Sequence, residues 1–326
     1  MNYRELGRSG INVSEIGLGC WTIGGLSHSN GHSSGWSSVD PQDVKQAIKV
    51  GIDAGINHFD NADVYGNGEA ERLLASCIEQ VGVDGDTLVI ASKVGHYKGE
   101  FPHAYDARNI RAQCERSLSN LKRDYLDIYY LHHGDFGPNY EYLDDAASTM
   151  EALRTEGKIR TIGQSAYKSS QFEKIVPILQ PSVIQAWAHM MDTKFIEPKG
   201  IVGQLLQKTD MSLVAFSPLN QGLLLDKYDP DNPPSFPSGD HREHTPKFSK
   251  ESLGQLKPKL AAIKERFGST NAQLASVALR YTLNFPHVAS VIPGFRNPAQ
   301  VSCNLEAVDR SLSDEDMQAI TAIFSR

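Results

Sequence analysis

The sequence predicts an α/β protein whose parallel strands close into a (β/α)8 barrel, or TIM barrel, and three observations support this fold. Short, nearly continuous apolar segments alternate with segments of helical periodicity along most of the chain. Apolar strands without polar alternation are typical of parallel sheets that helices cover on both faces. Eight such strands occur, which is the number that closes the barrel.

The predicted elements follow one another in a regular order. A small β-hairpin leads the chain, because residues 3–6 and 11–14 flank a turn that contains two glycines. The eight strands are predicted at 16–19, 56–59, 88–91, 126–131, 159–163, 183–186, 213–216 and 288–292. Helices are predicted at 44–52, 73–78, 110–121, 142–155, 172–179, 201–208 and 249–284, the last with a break at 267–270. Acidic residues after Ser313 predict an extra C-terminal helix.

Two segments show no periodicity. Residues 27–38 are polar and are predicted as a loop, and residues 226–247 are charged and rich in proline. Because residues 226–247 form a long segment inside a barrel, we expect them to be a functional βα loop or a lid. The rival fold is an open doubly wound sheet, but no G-x-G-x-x-G motif follows the first strand. We therefore expect residues 1–326 to form a single barrel domain.

Composition excludes several classes of protein. The 326 residues are 40% hydrophobic and 22% charged, with a net charge of −7 and no basic run. A soluble protein is expected, with a small-molecule partner and without a nucleic-acid or membrane surface. Residues 1–6 lack the apolar core of a signal peptide, and no stretch approaches the ~18 apolar residues of a membrane span. The four cysteines, which are Cys20, Cys77, Cys114 and Cys303, are far apart and favour a reducing, cytoplasmic location.

Four polar residues lie where predicted strands end. Asp60 follows the second strand, Tyr65 lies in the loop after it, Lys93 follows the third strand and His132 follows the fourth. Active sites of (β/α)8 barrels are built at the carboxyl ends of the strands, so we expect these side chains to lie close together. Each residue alone has an ordinary explanation: a turn cap, loop packing, a solvated strand end and a core histidine. Their joint position favours catalysis.

These four residue types suit acid catalysis. A tyrosine donates a proton near neutral pH only when its pKa of about 10 is lowered. A lysine ammonium stabilises the phenolate, and an aspartate holds that lysine in place. A histidine beside them can bond the oxygen of a substrate carbonyl. We find no serine or cysteine nucleophile in an elbow motif.

The sequence resembles the aldo-keto reductase family over nearly its whole length. The resemblance rests on motifs at residues 17–21, 60–66, 125–132, 163–165, 216–219 and 292–298, together with Gln300. It implies the (β/α)8 barrel and a catalytic tetrad of Asp60, Tyr65, Lys93 and His132, with Tyr65 as the general acid. It also implies a nicotinamide dinucleotide that is bound in an extended conformation without a Rossmann domain.

The same resemblance implies cofactor contacts. Ser165 and Gln185 would hold the carboxamide, with Trp21 and Phe216 flanking the nicotinamide. The other implied contacts are Ser217, Leu219 and Gly222 at the pyrophosphate and Gly294, Arg296, Gln300 and Asn304 at the adenosine end. The alternative for this last group is an ordinary loop and helix N-terminus. The guanidinium of Arg296 matches a 2′-phosphate, which favours NADP(H) over NAD(H).

Some positions depart from the family pattern. Ala166 replaces an asparagine that is common beside Ser165, the pair at residues 294–295 replaces a Lys-Ser pair, and His133 replaces a tryptophan. Candidate substrate contacts are Trp21, His133, Trp187 and the loop at 226–247, with core packing as the alternative for Trp187.

Three functions are compatible with the sequence. The first is an NADP(H)-dependent oxidoreductase that interconverts carbonyls and alcohols, without a metal. The second is a regulatory subunit that binds the cofactor on the same fold. The third is a metal-dependent hydrolase whose ligands would come from His58, Asp60, Asp63, His132 and His133. The substrate, the direction of the reaction and the oligomeric state stay open.

Overall fold

The computed structural model describes residues 1–29 and 32–325. Its strands are β1 Tyr3–Glu5, β2 Asn12–Ser14, β3 Leu18–Gly19, β4 Leu26–Ser29, β5 His32–Gly35, β6 His58–Asp60, β7 Val89–Val94, β8 Leu126–Leu131, β9 Ile159–Ser165, β10 Val183–Trp187, β11 Ser212–Phe216 and β12 Val288–Ile292. Its helices are α1 Pro41–Asp53, α2 Glu69–Val81, α3 Ala107–Leu121, α4 Leu143–Thr155, α5 Ser169–Leu179, α6 Ile201–Lys208, α7 Lys250–Phe267, α8 Asn271–Leu283, α9 Pro298–Leu305 and α10 Asp314–Ser325.

Eight of these strands form one parallel sheet that curls into a barrel. Their order is β3, β6, β7, β8, β9, β10, β11 and β12, and each strand pairs with its neighbours in parallel. The barrel closes between β12 and the segment around β3, through parallel bridges from Ile16 to Val291 and from Gly19 to Gly294. The (β/α)8 barrel predicted from the sequence is therefore confirmed.

The leading hairpin covers the end of the barrel opposite the candidate catalytic residues. β1 and β2 pair antiparallel, and the side chains of Leu6, Ile11 and Val13 are buried in a cluster with inward-facing strand residues. Apolar side chains fill this end, so it is a packed floor that leaves the carboxyl ends of the strands for function. The predicted C-terminal helix is also present, as α10.

The structure differs from the prediction in the polar segment 27–38. Its residues contribute to a second antiparallel hairpin, in which β4 pairs with β5. Residues 30 and 31, which the loop prediction also covered, lie outside the described residues. Strand boundaries also shift: β6 begins at His58, and the first barrel strand shrinks to Leu18–Gly19. In the part of the chain that the structure describes, no helix has the length and apolar character required to cross a membrane.

Two helix N-termini face the carboxyl-end rim of the barrel. Thr270 caps α8, since its side chain accepts from the backbone N–H of Gln273 and the Gln273 side chain accepts from the Thr270 N–H. Asn297 caps α9 by accepting from the Gln300 N–H at 3.0 Å, with Pro298 in the first turn. Both helices therefore begin at fixed positions beside the candidate cofactor contacts.

Candidate active site

The barrel brings the predicted strand-end residues together. Asp60 is the last residue of β6, Lys93 lies near the end of β7, and His132 follows β8 directly. All three are buried, with exposed fractions of 2%, 0% and 6%. Parallel pairing of neighbouring strands aligns their carboxyl ends, so residues far apart in sequence meet at one rim.

The Lys93 ammonium lies at the centre of the group. It donates to Asp60 Oδ2 at 2.6 Å, to the Asn61 carbonyl at 2.7 Å and to the Tyr65 hydroxyl at 3.0 Å. The other carboxylate oxygen of Asp60 accepts from Gln185 Nε2 at 2.7 Å. Burial lowers the pKa of Lys93, and the Asp60 carboxylate opposes that effect. A buried lysine with all three donors used is fixed in position.

Tyr65 is placed by the loop that connects β6 to α2. Its backbone N–H donates to the Ala62 carbonyl, and its carbonyl accepts from the N–H of Ala70 in the first turn of α2. Ser27, on β4, holds the loop from outside by donating to the Val64 carbonyl and accepting from the Gly66 N–H. The loop that carries Tyr65 is therefore held on both sides of this residue.

The protonation of Tyr65 differs from the prediction. We expected the neighbouring lysine to lower the phenol pKa, but burial, reinforced by the Asp60 carboxylate, raises it well above 10. The phenol therefore stays protonated at neutral pH. It is set to give its proton to a stronger base, such as an alkoxide that forms within hydrogen-bond distance.

The His132 imidazole is neutral and lies beside the phenol. Its ring centre is 5.9 Å from that of Tyr65, in a T-shaped arrangement. Burial, together with the neighbouring imidazoles and Lys93, lowers its pKa well below 6.5. Its Nδ1 atom has no hydrogen-bond partner among the described residues. A neutral imidazole in this place can bond a substrate oxygen without adding charge.

A long cavity of about 1180 Å³ opens over this group. Asp60, Tyr65 and His132 line it, whereas Lys93 lies behind them. All of the predicted cofactor contacts also line it: Trp21, Ser165, Gln185, Phe216, Ser217, Leu219, Gly222, Gly294, Arg296, Gln300 and Asn304. The structure therefore brings the catalytic and cofactor predictions to one continuous surface.

The loop after β11 has an unusual backbone conformation where it lines the cavity. Ser217, Asn220 and Gln221 have positive φ angles of 54°, 45° and 56°, which side chains rarely adopt. Gly222 follows at φ 86°, and a Cβ atom there would lie 2.5 Å from Lys227 Cε. Backbone strain of this kind concentrates at ligand-binding segments.

The far end of the cavity combines helix N-termini with unsatisfied polar groups. The starts of α8 and α9 line it. Asn304 is buried there, and its Nδ2 atom has no partner within residues 1–29 and 32–325. A Cβ atom on Gly294 would lie 2.6 Å from Thr22 Cγ2, so only glycine fits at this part of the wall. Helix N-termini and unpaired amide donors suit an anionic, hydrogen-bonding ligand.

We name the segments 26–29, 32–38 and 226–247 the lid, because they join across the cavity mouth. The His241 N–H donates to the Gly35 carbonyl at 2.8 Å. Arg242 forms a bidentate pair with Asp240 and packs between the rings of Trp36 and Phe236, at 4.4 and 4.2 Å from their centres. The 226–247 loop, predicted as a functional loop or lid, contributes Lys227, His241 and Arg242 to the lining of the cavity.

Sequence reasoning missed several residues of the cavity wall and misplaced two. His96, Tyr167, His241 and Arg242 line the cavity and were not singled out individually. His133 and Trp187, predicted as substrate contacts, are absent from the described lining: His133 Nε2 bonds the Gly95 carbonyl, and the Trp187 indole donates to Asp192. His96 and Tyr167 could have been predicted from the sequence, because each follows the end of a barrel strand, β7 for His96 and β9 for Tyr167.

The residues of the hydrolase hypothesis do not gather as metal ligands. Among the described residues, no group of three or more His, Cys, Asp or Glu side chains could hold a metal ion. His58 faces Ser290 at 3.1 Å, and the Asp60 carboxylate is occupied by Lys93 and Gln185. This arrangement favours an acid catalyst over a metal centre.

Comparison with known proteins gives a consistent result. The model of the Aldo/keto reductase family matches residues 15–324. The chain is 28% identical to the aldo-keto reductase YhdN of Bacillus subtilis (strain 168) over 331 residues, covering 99% of this chain and 94% of the relative. It is 26% identical to a probable voltage-gated potassium channel subunit beta of Arabidopsis thaliana, covering 95% and 92%. The solved structure of the glycerol dehydrogenase AKR11B4 from Gluconobacter oxydans has a TM-score of 0.80 at 24% identity, covering 99% and 95%.

Proposed function

The chain belongs to the aldo/keto reductase family, and on that premise we propose that it is an NADP(H)-dependent oxidoreductase that interconverts aldehydes or ketones and alcohols. One observation carries the proposal. A buried lysine bridges an aspartate and the hydroxyl of Tyr65, next to a neutral histidine, at one end of a long cavity. This group can deliver a proton to an oxygen, and the cavity has room for a dinucleotide and a small substrate.

Tyr65 is the general acid in the reduction direction. Its raised pKa keeps the phenol protonated, so the proton is present when negative charge develops on the substrate oxygen. Lys93 Nζ, 3.0 Å from the hydroxyl, stabilises the phenolate that remains. His132 orients the carbonyl oxygen by a hydrogen bond.

The cavity residues fit a nicotinamide dinucleotide. The unpaired Asn304 amide and the N-terminus of α9 suit the adenosine phosphate end, together with Gly294, where only glycine fits. Ser165 and Gln185 are buried polar residues at the opposite end, suited to an amide, and Trp21 and Phe216 flank that end. The strained loop at Ser217, Leu219 and Gly222 would lie along the pyrophosphate. When bound, the nicotinamide supplies or accepts a hydride.

Arg296 supports NADP(H) over NAD(H). Its guanidinium lines the cavity and donates to the carbonyls of Ser37 and Ser38, at 3.0 and 2.7 Å. None of the ion pairs among the described residues includes it. Burial and the nearby Arg242 lower its pKa, so a phosphate dianion beside it would be favoured.

A regulatory subunit is the second candidate, since one relative is named as a probable potassium channel subunit beta. The complete tetrad, with every Lys93 donor used, favours turnover.

The test follows NADPH oxidation by absorbance with 4-nitrobenzaldehyde as the carbonyl. We expect the wild type to be active, to prefer NADPH to NADH, and to lose about a thousandfold in kcat when Tyr65 is changed to Phe. Tyr3→Phe, at the opposite end of the barrel, is the matched control. An Arg296→Gln variant should lose affinity for NADPH by tenfold or more, on the order expected for a charge-assisted phosphate contact, and little for NADH.

The outcomes separate the candidates. A fully active Tyr65→Phe variant would contradict the acid assignment. Tight NADPH binding without turnover of the aldehyde would instead favour the regulatory subunit.

A further inference from the structure

A methionine sulfur lies against the loop after β11, residues 217–222, which we call the cavity loop. Met191 follows β10 and is 39% exposed, whereas the other methionines of the chain are buried or half-buried. Its sulfur accepts a hydrogen bond from Asn220 Nδ2 at 3.3 Å. Asn220 stands between Leu219 and Gln221, and both of these residues line the cavity. An exposed thioether is therefore bonded directly to the loop that we assign to the pyrophosphate.

The orientation of the Asn220 amide is fixed by a second partner. Its Oδ1 atom accepts from Lys247 Nζ at 2.9 Å. An ammonium group only donates, so the amide oxygen must face Lys247 and the amide NH2 must face the sulfur of Met191. The Asn220 side chain is 6% exposed, and its backbone has a φ angle of 45°. This one buried amide therefore connects Met191, the cavity loop and the lid.

The backbone that carries Met191 is held in a tight turn. The His189 N–H donates to the Asp192 carbonyl at 3.2 Å, and the Asp192 N–H donates to the His189 carbonyl at 2.9 Å. The Met191 N–H donates to His189 Nδ1 at 3.2 Å, and the Asp192 carboxylate accepts from the Trp187 indole at 2.8 Å. Because these bonds fix the turn, a change at the sulfur is passed on to Asn220.

Resting on the proposed function, we propose that Met191 is an oxidation site through which hydrogen peroxide weakens the binding of the cofactor. A lone pair of the sulfur attacks one oxygen of the peroxide, so an S–O bond forms while the O–O bond breaks. The proton on the transferred oxygen passes to the leaving hydroxide, which becomes water. The thioether is oxidised to a sulfoxide and the peroxide is reduced, and methionine sulfoxide reductases reverse the modification.

The sulfoxide does not fit the present contact. An N–H···O bond alone takes about 2.9 Å between its heavy atoms, and only 3.3 Å separate the sulfur from Asn220 Nδ2. An oxygen on that side of the sulfur therefore displaces the amide. An oxygen on another side leaves a sulfur that has lost electron density and accepts poorly, so a buried donor is left unpaired. In both cases the cavity loop loses the bond that holds it at Asn220.

Peroxide treatment of the full chain tests the proposal. The protein is treated with hydrogen peroxide and then with dithiothreitol, which reduces oxidised thiols but not methionine sulfoxide. Peptide mass spectrometry should locate an added oxygen at Met191. We expect NADPH to bind about three- to tenfold more weakly, the factor that one neutral hydrogen bond contributes. The single-turnover rate constant with NADPH already bound should stay unchanged, and a methionine sulfoxide reductase should restore the affinity.

Three variants sharpen this test. Met191→Leu keeps an apolar side chain that neither accepts a hydrogen bond nor takes up oxygen, so it should bind NADPH as weakly as the oxidised wild type and should not respond to peroxide. Asn220→Gly suits the φ angle of 45° and removes the contact from the other side. Its Met191 should still be oxidised, without a further loss of affinity. Met317→Leu, in α10 and outside the described cavity lining, is the matched control and should respond as the wild type does.

The results distinguish this proposal from the proposed function. An unmodified Met191, or an oxidised Met191 with unchanged NADPH affinity, would overturn the proposal and leave the proposed function intact as long as 4-nitrobenzaldehyde is reduced normally. A peroxide-induced loss of affinity that persists in Met191→Leu would assign the effect to another residue and would also overturn the proposal. If the untreated protein neither bound NADPH nor reduced 4-nitrobenzaldehyde, the proposed function would fail and this proposal with it.

Discussion

The two walls of the cavity are built in different ways. The strand-end wall, with Asp60, Lys93 and His132, is almost completely buried and is held by the parallel ladder of the barrel. The lid is more exposed, and its two parts are joined by the bond from His241 to Gly35, with the Arg242–Asp240 pair beside it. The difference teaches that the fold fixes the geometry of the proposed catalytic group, whereas the cover of the cavity is a local structure that we expect to open more easily than the barrel.

The largest effect is expected from breaking the strand-end wall. Lys93→Met leaves the Asp60 carboxylate buried without its cation, so the free energy of unfolding should fall by about 3–5 kcal/mol. Turnover should fall by about a thousandfold, because the phenolate of Tyr65 loses its stabilising charge. Urea unfolding and steady-state kinetics measure the two effects.

A double variant, Asp60→Asn with Lys93→Met, separates stability from chemistry. It removes both charges, so most of the stability should return while the rate stays low. If Lys93→Met alone were as stable as the wild type, the pair would not hold this wall together.

Acid should weaken the barrel wall through the buried imidazole of His58. Burial lowers the pKa of His58 from 6.5 to about 4, so between these values the unfolded chain binds more protons than the folded one. Stability therefore rises with pH in this window and is lost as pH falls through it, by about 3 kcal/mol in total for this group.

Denaturant unfolding at pH 7 and pH 4 measures this loss. His58→Gln, which cannot titrate, should lose about 3 kcal/mol less than the wild type over that range. His244→Gln in the lid is the control, and it should follow the wild type. Identical losses for His58→Gln and the wild type would contradict the account.

Opening the lid should change binding more than chemistry. Arg242→Gln leaves the buried Asp240 without its partner, so the lid should open while the barrel stays folded. We expect NADPH to bind a few-fold to about tenfold more weakly, with a change in the free energy of unfolding below about 1 kcal/mol. Cofactor titration and limited proteolysis at residues 226–247 check this, and a large loss of global stability would show that the lid belongs to the barrel core.

The smallest effect is expected from pH on the reaction itself. Tyr65 has a pKa well above 10 and His132 one well below 6.5, so neither changes protonation between about pH 6.5 and 9. The kcat/KM for carbonyl reduction should vary by no more than about twofold across this range. If a plot of log kcat/KM against pH had a segment of unit slope within this range, one of the two groups would titrate in the active enzyme.

The same difference between the walls explains what could be predicted from the sequence. The strands and the residues at their ends follow from apolar segments whose order fixes a barrel, which is why Asp60, Lys93 and His132 were found. The hairpin of β4 and β5 was missed, because serine, histidine and glycine have little strand preference and its pairing depends on contacts with distant residues such as Asp240.

The positions of loop side chains and the pKa values of buried groups could not be predicted from the sequence either. His96 and Arg242 lie in segments without periodicity, and only the folded path of the chain brings them to the cavity. The raised pKa of Tyr65 results from burial by residues that close over it in three dimensions. The spacing of residues along the sequence does not predict that burial.

The central claim is that the strand-end wall performs the chemistry, and single-turnover kinetics test it most directly. NADPH is first bound to the wild type and to Tyr65→Phe, with the affinity followed by tryptophan fluorescence, since Trp21 and Trp36 line the cavity. Excess aldehyde is then added in a stopped-flow instrument. We expect the same NADPH affinity in both proteins and a rate constant about a thousandfold lower in the variant. An equal rate constant with NADPH bound would contradict the claim.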